Sequence, residues 1–275
     1  MQNKNKTCFC IEDGPKIMGI LNVTPDSFSD GGNFFSLDKS LKRAEAMALE
    51  GADIIDVGGE STRPGSNPIS VQEELDRVIP VIEAIGKNID VPISVDTSKT
   101  AVMLDAMKVG ATMINDVNAL KADGAIDAAI ETDSWVCLMH MKNQPRVMQK
   151  SPSYENVIEE VKDFLLSRAN LCIKSGIQKN KIIIDPGFGF GKNLNHNLSL
   201  LKDLSKLSSE GYPVLVGISR KSMLGTITNR SVDKRLAGSL SSALIALQKG
   251  ASILRVHDVQ ETKDVIEVWR SIETL

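Results

Sequence analysis

The chain has 275 residues, of which 42% are hydrophobic and 24% are charged, and its formal net charge is −3. This composition predicts a globular protein with a large apolar core and excludes an intrinsically disordered chain. The slightly acidic balance gives no indication of a nucleic-acid partner.

The cysteines and the first residues bear on the compartment. Cys8, Cys10, Cys137 and Cys172 do not have the spacing of a zinc site or of a disulfide framework. The opening stretch MQNKNKTCFC lacks an apolar signal core, and no apolar run reaches the length of a membrane span. We therefore expect a cytoplasmic protein with reduced thiols and no membrane contact.

Short apolar or β-branched runs alternate with amphipathic stretches along the whole chain. The predicted strands are, in order, IMGILN, DIIDVG, PISVD, TMIND, WVCLMH, IIIDPG, VLVGIS and SILRVH. Most are separated by stretches with apolar residues at helical spacing. These helical stretches include LDKSLKRAEAMALEG, VQEELDRVIPVIEAIG, YENVIEEVKDFLLSRANLCIKSG, LAGSLSSALIALQKG and VQETKDVIEVWRSI.

This alternation predicts an α/β fold, a single (β/α)8 TIM barrel that takes in residues 1–275 as one domain. A doubly wound open sheet is the alternative. Such a sheet would use a glycine fingerprint after its first strand to bind a dinucleotide, and that fingerprint is absent. No linker or low-complexity tract divides the chain into two domains.

Polar residues stand at or just after the end of every predicted strand. One aspartate in such a position is most often a turn or capping residue, but capping does not explain all the strands at once. In a barrel these ends meet at the mouth that carries the chemistry. The residues are Asn22, Asp56, Asp96, Asn115, Asp116, His140, Asp185, Ser219, Arg220, Lys221, Arg255 and His257.

The chemical types at these positions predict two kinds of ligand group. Asp96, Asn115 and Asp185 suit a flat heterocycle with several N–H donors. On the far side, cationic residues such as Arg255 and Lys221 suit a phosphate, and a nearby asparagine and carboxylates could share a divalent ion with it. The residues alone therefore predict an enzyme that binds a polar planar ring at depth and an anion near the rim.

Two glycine-containing stretches leave alternatives open. GFGFGK, at 187–192, is not a P-loop, because Asn193 follows the lysine and the earlier glycine is missing. It is either a flexible loop or one whose Phe190 covers a ligand. GGESTRPG, at 58–65, is either a surface loop or a loop whose Thr62 and Arg63 meet a carboxylate substrate.

SRKSMLG, at 219–225, begins a helix just beyond a strand, and the backbone N–H groups of such a helix favour anions. A Schiff-base role for Lys221 is disfavoured, because the residue lies beyond the strand where water reaches it.

Seven motifs together resemble the dihydropteroate synthase family. They are GILNVTPDSFSDGG, DVGGESTRPG, SVDTSKT, INDVNAL, IIDPGFGFGK, GISRKSMLG and LRVHDV, and they extend from about Ile17 to His257. The resemblance implies a transferase of folate biosynthesis and a target of sulfonamide inhibitors. Its reaction would join 6-hydroxymethyl-7,8-dihydropterin diphosphate to 4-aminobenzoate, giving 7,8-dihydropteroate and pyrophosphate.

The resemblance also implies roles for individual residues, position by position. Lys221, Asp30 and Arg63 would be catalytic, Mg²⁺ would be the cofactor with Asn22 as its ligand, and a homodimer would form through the late helices. The implied binding sets are Asp96, Asn115, Met139, Asp185, Gly217 and Lys221 for the pterin; Phe28, Thr62, Arg63, Pro64, Phe190 and Ser219 for the aminobenzoate; and Asn22, Arg255 and His257 for the pyrophosphate.

Leaving-group chemistry favours an SN1-like path. Magnesium, Arg255 and His257 would neutralise the leaving pyrophosphate, and the electron-rich pterin would hold positive charge at its methylene carbon. Asp30 and the loops would shelter this cation from water, with the segment Thr24 to Gly32 ordered only when ligands are bound.

Two other functions remain as alternatives. A pterin-dependent methyltransferase-type barrel would share the acidic pterin pocket, but it gives no reason for Arg63, Ser219 or a pyrophosphate site. A non-catalytic ligand-binding barrel leaves the glycine-rich loops and the cations at the rim unexplained.

Overall fold

The computed structural model describes residues 13–24, 33–61, 65–142 and 152–274, with side chains from residue 37 onward in the second range. Eight parallel strands form one sheet. They are β1 Lys16–Asn22, β2 Ile54–Gly58, β3 Ile93–Asp96, β4 Met113–Asp116, β5 Trp135–Met139, β6 Ile182–Asp185, β7 Leu215–Val216 and β8 Ile253–Val256.

Helices connect consecutive strands throughout. Those of the described residues are α1 Asn33–Leu49, α2 Val71–Asn88, α3 Thr100–Lys108, α4 Ala125–Glu131, α5 Val157–Ser175, α6 Leu194–Lys202, α7 Ser205–Ser208, α8 Ser222–Thr228, α9 Leu236–Gln248 and α10 Val259–Glu273. None of them is long and apolar enough to cross a membrane.

The sheet closes on itself. Its strand order is β6-β5-β4-β3-β2-β1-β8-β7, and a parallel bridge between Ile184 and Val214 joins the two ends. The Ile184 N–H also donates to the Pro213 carbonyl at 3.0 Å. The predicted (β/α)8 barrel is therefore confirmed, and the open doubly wound sheet is excluded.

Alternation along the strands separates an inner core from an outer one. Residues such as Val57, Ile114 and Ile184 pack against the helices in the outer core. The inner core is a layer of buried side chains, one from each of seven strands: Met18, Ile54, Met113, Cys137, Ile183, Leu215 and Ile253.

Because side chains two positions apart point to the same face, the next inward residues form a second layer nearer the mouth. This layer holds polar residues that the sequence analysis singled out, together with Met139 and Gly217. We call Asp56, Asp96, Asn115, Asp185 and Arg255 the polar layer.

Candidate active site

Arg255 is at the centre of the polar layer. Its Nε donates to Oδ2 of Asp56 at 2.6 Å, and its Nη2 donates to Oδ2 of Asp96 at 2.7 Å. Asn115 donates from Nδ2 to the same Asp56 oxygen at 3.1 Å. Burial by itself lowers the pKa of the Arg255 guanidinium. The carboxylates of Asp56 and Asp96 outweigh this effect, so the pKa of Arg255 lies above its ordinary value. The sequence predicts Arg255 on the far side from Asp96, whereas the structure brings the two into contact.

Burial shifts the pKa values of Asp96, Asp185 and the neighbouring Lys221 toward the neutral form of each side chain. It raises the pKa of Asp96 to about 7, against the opposing effect of Arg255. It also raises the pKa of Asp185, which Lys221 and the Gly187 N–H oppose. Burial lowers the pKa of Lys221 to about 8, against the opposing effect of Asp185. Asp96 and Lys221 can therefore change charge near neutral pH when a ligand binds.

The loop between β6 and α6 (residues 186–193, the β6–α6 loop) joins Asp185 to Lys221. The Gly187 N–H donates to Oδ1 of Asp185 at 2.7 Å, and Nζ of Lys221 donates to the Phe188 carbonyl. The ammonium of Lys221 also lies 4.6 Å from the centroid of the Phe190 ring. A predicted aminobenzoate residue, Phe190, therefore stands beside a predicted pterin residue, Lys221.

Ser219 and His257 form a second cluster at the mouth. The Ser219 Oγ lies 3.0 Å from Nδ1 of His257 and accepts a hydrogen bond from the His257 backbone N–H at 3.3 Å. The structure therefore joins one residue of the predicted aminobenzoate set to one of the predicted pyrophosphate set.

Small inward residues leave room around the polar layer. A Cβ added at Gly58 would lie 3.4 Å from the Cβ of Asp96, and one added at Gly217 would lie 3.8 Å from the Cβ of Arg255. Met139, which is buried, belongs to the same interior surface. Gly217 and Met139 therefore shape the space beside the polar groups.

Five predicted site residues lie outside the described residues: Phe28, Asp30, Thr62, Arg63 and Pro64. The predicted ordering of residues 24–32 falls largely there as well. Flanking atoms of the 62–64 segment are fixed, because Arg77 Nη1 donates to the Gly59 carbonyl at 2.8 Å and Ser66 Oγ donates to the Ser61 carbonyl at 2.5 Å. Lys99 also bridges the carboxylates of Glu60 and Glu74.

Asp56 is the polar-layer residue that the predicted site sets omit. It is fully buried, and its Oδ1 has no hydrogen-bond partner among the described residues. Ser94 is the residue of β3 that pairs with Asp56, and its buried Oγ also has no hydrogen-bond partner among the described residues. The only sequence signal was the position of Asp56 near the end of its strand.

Three other strand-end residues serve the scaffold. The outward-facing Asp116 accepts from the N–H groups of Asn118 and Leu120 at 2.8 and 2.7 Å, which is a turn-stabilising role. Arg220 pairs with Asp258. His140 is buried at the end of β5, where Lys192 lies 3.0 Å from its Nδ1.

Comparison with known proteins decides the family. A family model described as pterin binding enzyme matches residues 18–257. The Haemophilus influenzae dihydropteroate synthase is 54% identical over 94% of this chain and 94% of its own length. The Escherichia coli K12 enzyme is 54% identical over 92% of this chain and 90% of its own length. The chain belongs to the dihydropteroate synthase family.

Solved dihydropteroate synthases have the same fold. The Yersinia pestis enzyme in complex with a sulfonamide drug superposes with a TM-score of 0.92 at 49% identity, covering 97% of each chain. The Xanthomonas albilineans enzyme in complex with 7,8-dihydropteroate gives a TM-score of 0.89 at 44% identity, covering 97% of this chain and 96% of that one. The predicted dihydropteroate synthase activity is confirmed, and the methyltransferase and non-catalytic alternatives are set aside.

Proposed function

We propose that Asp96, Asn115 and Asp185 of the polar layer bind the pterin of 6-hydroxymethyl-7,8-dihydropterin diphosphate. The main observation in support is that Asp96, Asn115 and Asp185 project from neighbouring or nearby strands into one buried interior beside Arg255. Carboxylate and amide oxygens accept from the N–H edge of the ring, and Lys221 donates to the acceptors of the ring. The Xanthomonas relative solved with 7,8-dihydropteroate supports a pterin ligand for this chain.

The aminobenzoate and pyrophosphate sites adjoin this pocket. Ser219 and Phe190 border the predicted aminobenzoate position, with Phe28, Thr62, Arg63 and Pro64 assigned to it by the motifs they occupy. A second Xanthomonas structure contains 4-aminobenzoic acid, and the Yersinia one contains a sulfonamide drug, so we assign both ligands to this position here. Asn22, Arg255 and His257 are assigned to the pyrophosphate.

Mg²⁺ fits the donors at the mouth. The described residues contain no cluster of three or more His, Cys, Asp or Glu side chains suited to a metal. Mg²⁺ does not need one, because it is commonly held by one or two protein oxygens together with substrate phosphates. Asn22, half-buried at the end of β1, supplies such an oxygen. The bound ion would offset charge on the departing pyrophosphate.

The chain's own residues favour ionisation before attack. Arg255 and His257 withdraw charge from the leaving pyrophosphate, and the carboxylates of Asp96 and Asp185 stabilise a cationic pterin. We propose that Asp30 shields the cation from water. Lys221 and Arg63 are the other two catalytic residues that we assign. An ¹⁸O label in the bridging position of the pterin diphosphate should scramble into non-bridging positions during turnover. Unscrambled label with strict inversion at a stereospecifically deuterated methylene would establish direct displacement instead.

Pterin binding should depend on pH with a maximum between about 7 and about 8. Below about 7, Asp96 is protonated and must lose its proton before accepting from the ring, so the affinity falls as the pH falls. Above about 8, Lys221 loses its proton and the affinity falls again. Titration with 6-hydroxymethyl-7,8-dihydropterin, which carries no phosphate, measures this profile. An affinity that does not fall on either side of this maximum would contradict the pterin assignment.

We further propose a cytoplasmic homodimer acting as a single barrel domain. The described cysteines Cys137 and Cys172 are free and buried, which suits a reducing compartment. Exposed apolar residues on or beside α8, α9 and α10 support pairing of the late helices; they are Ile227, Val232, Leu236, Ile245, Val268 and Ile272. Sedimentation at assay concentration tests the dimer, and a monomer there would contradict it.

A further inference from the structure

Lys192 is a buried lysine that the reaction does not use. It ends the GFGFGK stretch and is only 2% exposed. Its Nζ lies 3.0 Å from Nδ1 of His140 and donates to the carbonyl oxygens of Gly187 at 2.9 Å, Phe190 at 3.0 Å and His140 at 3.3 Å. One amine therefore joins the end of β5 to the β6–α6 loop at four points.

Backbone carbonyl oxygens crowd around this amine. Those of His140 and Phe190 accept from it, and that of Gly187 accepts both from it and from the Phe190 N–H at 3.1 Å. A Cβ at Gly187, whose φ is +67°, would lie 2.0 Å from the His140 carbonyl oxygen, and one at Gly191 would lie 2.3 Å from the Lys142 carbonyl oxygen. The two segments thus pack backbone against backbone, and their carbonyl oxygens converge. Buried carbonyls without donors would be costly, because each loses its hydrogen bonds to water.

The protonation state does not decide this role. Burial lowers the pKa of Lys192 well below its ordinary value, while Asp185 opposes the shift. Burial and Lys192 lower the pKa of His140 to about 3, so its ring is neutral and Nδ1 can present a lone pair. A primary amine keeps at least two N–H donors whether it is charged or neutral.

The loop held in this way carries the groups that orient the pterin residues. The Gly187 N–H binds Asp185, and the Phe188 carbonyl accepts from Lys221. We propose that Lys192 is a positioning residue for pterin binding: it fixes the β6–α6 loop and through that loop orients Asp185 and Lys221. This inference rests on the proposed assignment of Asp185 and Lys221 to the pterin.

Affinity measured separately at the pterin and pyrophosphate subsites distinguishes a positioning role of Lys192 from a general effect on stability. A positioning residue affects only the pterin subsite. Asn22, Arg255 and His257 belong to β1 and β8 or follow β8, so the loop does not hold them. Lys192→Met keeps the length of the side chain and removes its donors. It should weaken binding of 6-hydroxymethyl-7,8-dihydropterin about 100-fold, as a misplacement on the ångström scale does. Inhibition by pyrophosphate should stay within about twofold, because its assigned residues lie on or after β1 and β8 and not on the loop.

Two further variants make the result decisive. Lys202→Met, at an exposed lysine at the end of α6, is the matched control and should bind both ligands as the unaltered protein does. Asp185→Asn is measured in parallel. If both Lys192→Met and Asp185→Asn leave pterin binding intact, the proposed pterin site is wrong. If Asp185→Asn loses binding and Lys192→Met does not, only the positioning role of Lys192 is wrong.

Equal losses at both subsites of Lys192→Met would likewise overturn the proposal, because they would mean general destabilisation. If this variant does not fold, Asn197→Leu replaces it. Asn197 Oδ1 accepts from the Gly189 N–H at 2.7 Å, and its Nδ2 donates to the carbonyl oxygens of Lys192 at 3.3 Å and Asn193 at 2.7 Å. Asn197 therefore anchors the same loop to α6 but does not join it to β5. It should show the same split with a smaller loss of pterin affinity, and the absence of a split would overturn the proposal.

Discussion

Arg255→Met should lower the free energy of unfolding by about 3–5 kcal/mol, because it leaves the buried carboxylates of Asp56 and Asp96 without their cation. It should also remove detectable turnover, since Arg255 is assigned to the leaving pyrophosphate. Denaturant unfolding and an assay of pyrophosphate release measure the two effects. Arg270→Met is the control: Arg270 pairs with Glu267 on the surface of α10, where a pair contributes about 0–1 kcal/mol.

The pH dependence of this loss identifies its cause. The pKa of Asp96 in the folded protein is about 7, above the ordinary 3.8, so the group stabilises the fold when protonated and that contribution is lost as the pH rises. Removing Arg255 takes away the group that lowers this pKa and moves it further up. The deficit of Arg255→Met should therefore be smaller at about pH 5 than at about pH 8. An equal deficit at both pH values would contradict this account of the polar layer.

Asp185→Asn should lower kcat/KM for the pterin diphosphate about 100-fold, the loss of about 3 kcal/mol expected for a hydrogen bond to a charged group. The asparagine oxygen can still accept from the Gly187 N–H, so the loop and the stability should change little. Asp203→Asn, at the end of α6, serves as the surface control and should leave kcat/KM unchanged.

The same variant also tests the coupling to Lys221. Asp185 raises the pKa of Lys221, which burial lowers to about 8. Without the carboxylate this pKa should fall further, so the alkaline limb of the pterin-binding profile should move to lower pH. An alkaline limb that stays in place or moves upward would mean that Asp185 does not act on Lys221.

The barrel and most of the polar layer were predictable because strand periodicity is simple. Cys137, Ile183 and Ile253 face the interior, so Met139, Asp185 and Arg255, two residues further along, must do the same. The strand predicted at VLVGIS is shorter than expected: β7 comprises only Leu215–Val216. The chain leaves the sheet at Gly217 and turns into α8 through Arg220, whose φ is +58°.

The direction in which long or outward-facing side chains point could not be predicted from the sequence. Polar residues after strands looked alike, yet Asp116 faces outward and stabilises its own turn. Arg255 reaches across the interior to Asp56, a contact between residues 199 positions apart in the chain. The burial of Lys192 depends on carbonyl oxygens from the end of β5 and from the β6–α6 loop, and no local pattern in GFGFGK reveals such a convergence.

The most direct test of the account is a crystal structure of this protein with 6-hydroxymethyl-7,8-dihydropterin and pyrophosphate. The account predicts that the N–H edge of the ring lies within hydrogen-bond distance of Asp96, Asn115 and Asp185. It also predicts pyrophosphate beside Asn22, Arg255 and His257. A ring bound outside the polar layer, with these three side chains making no contact to it, would contradict the account.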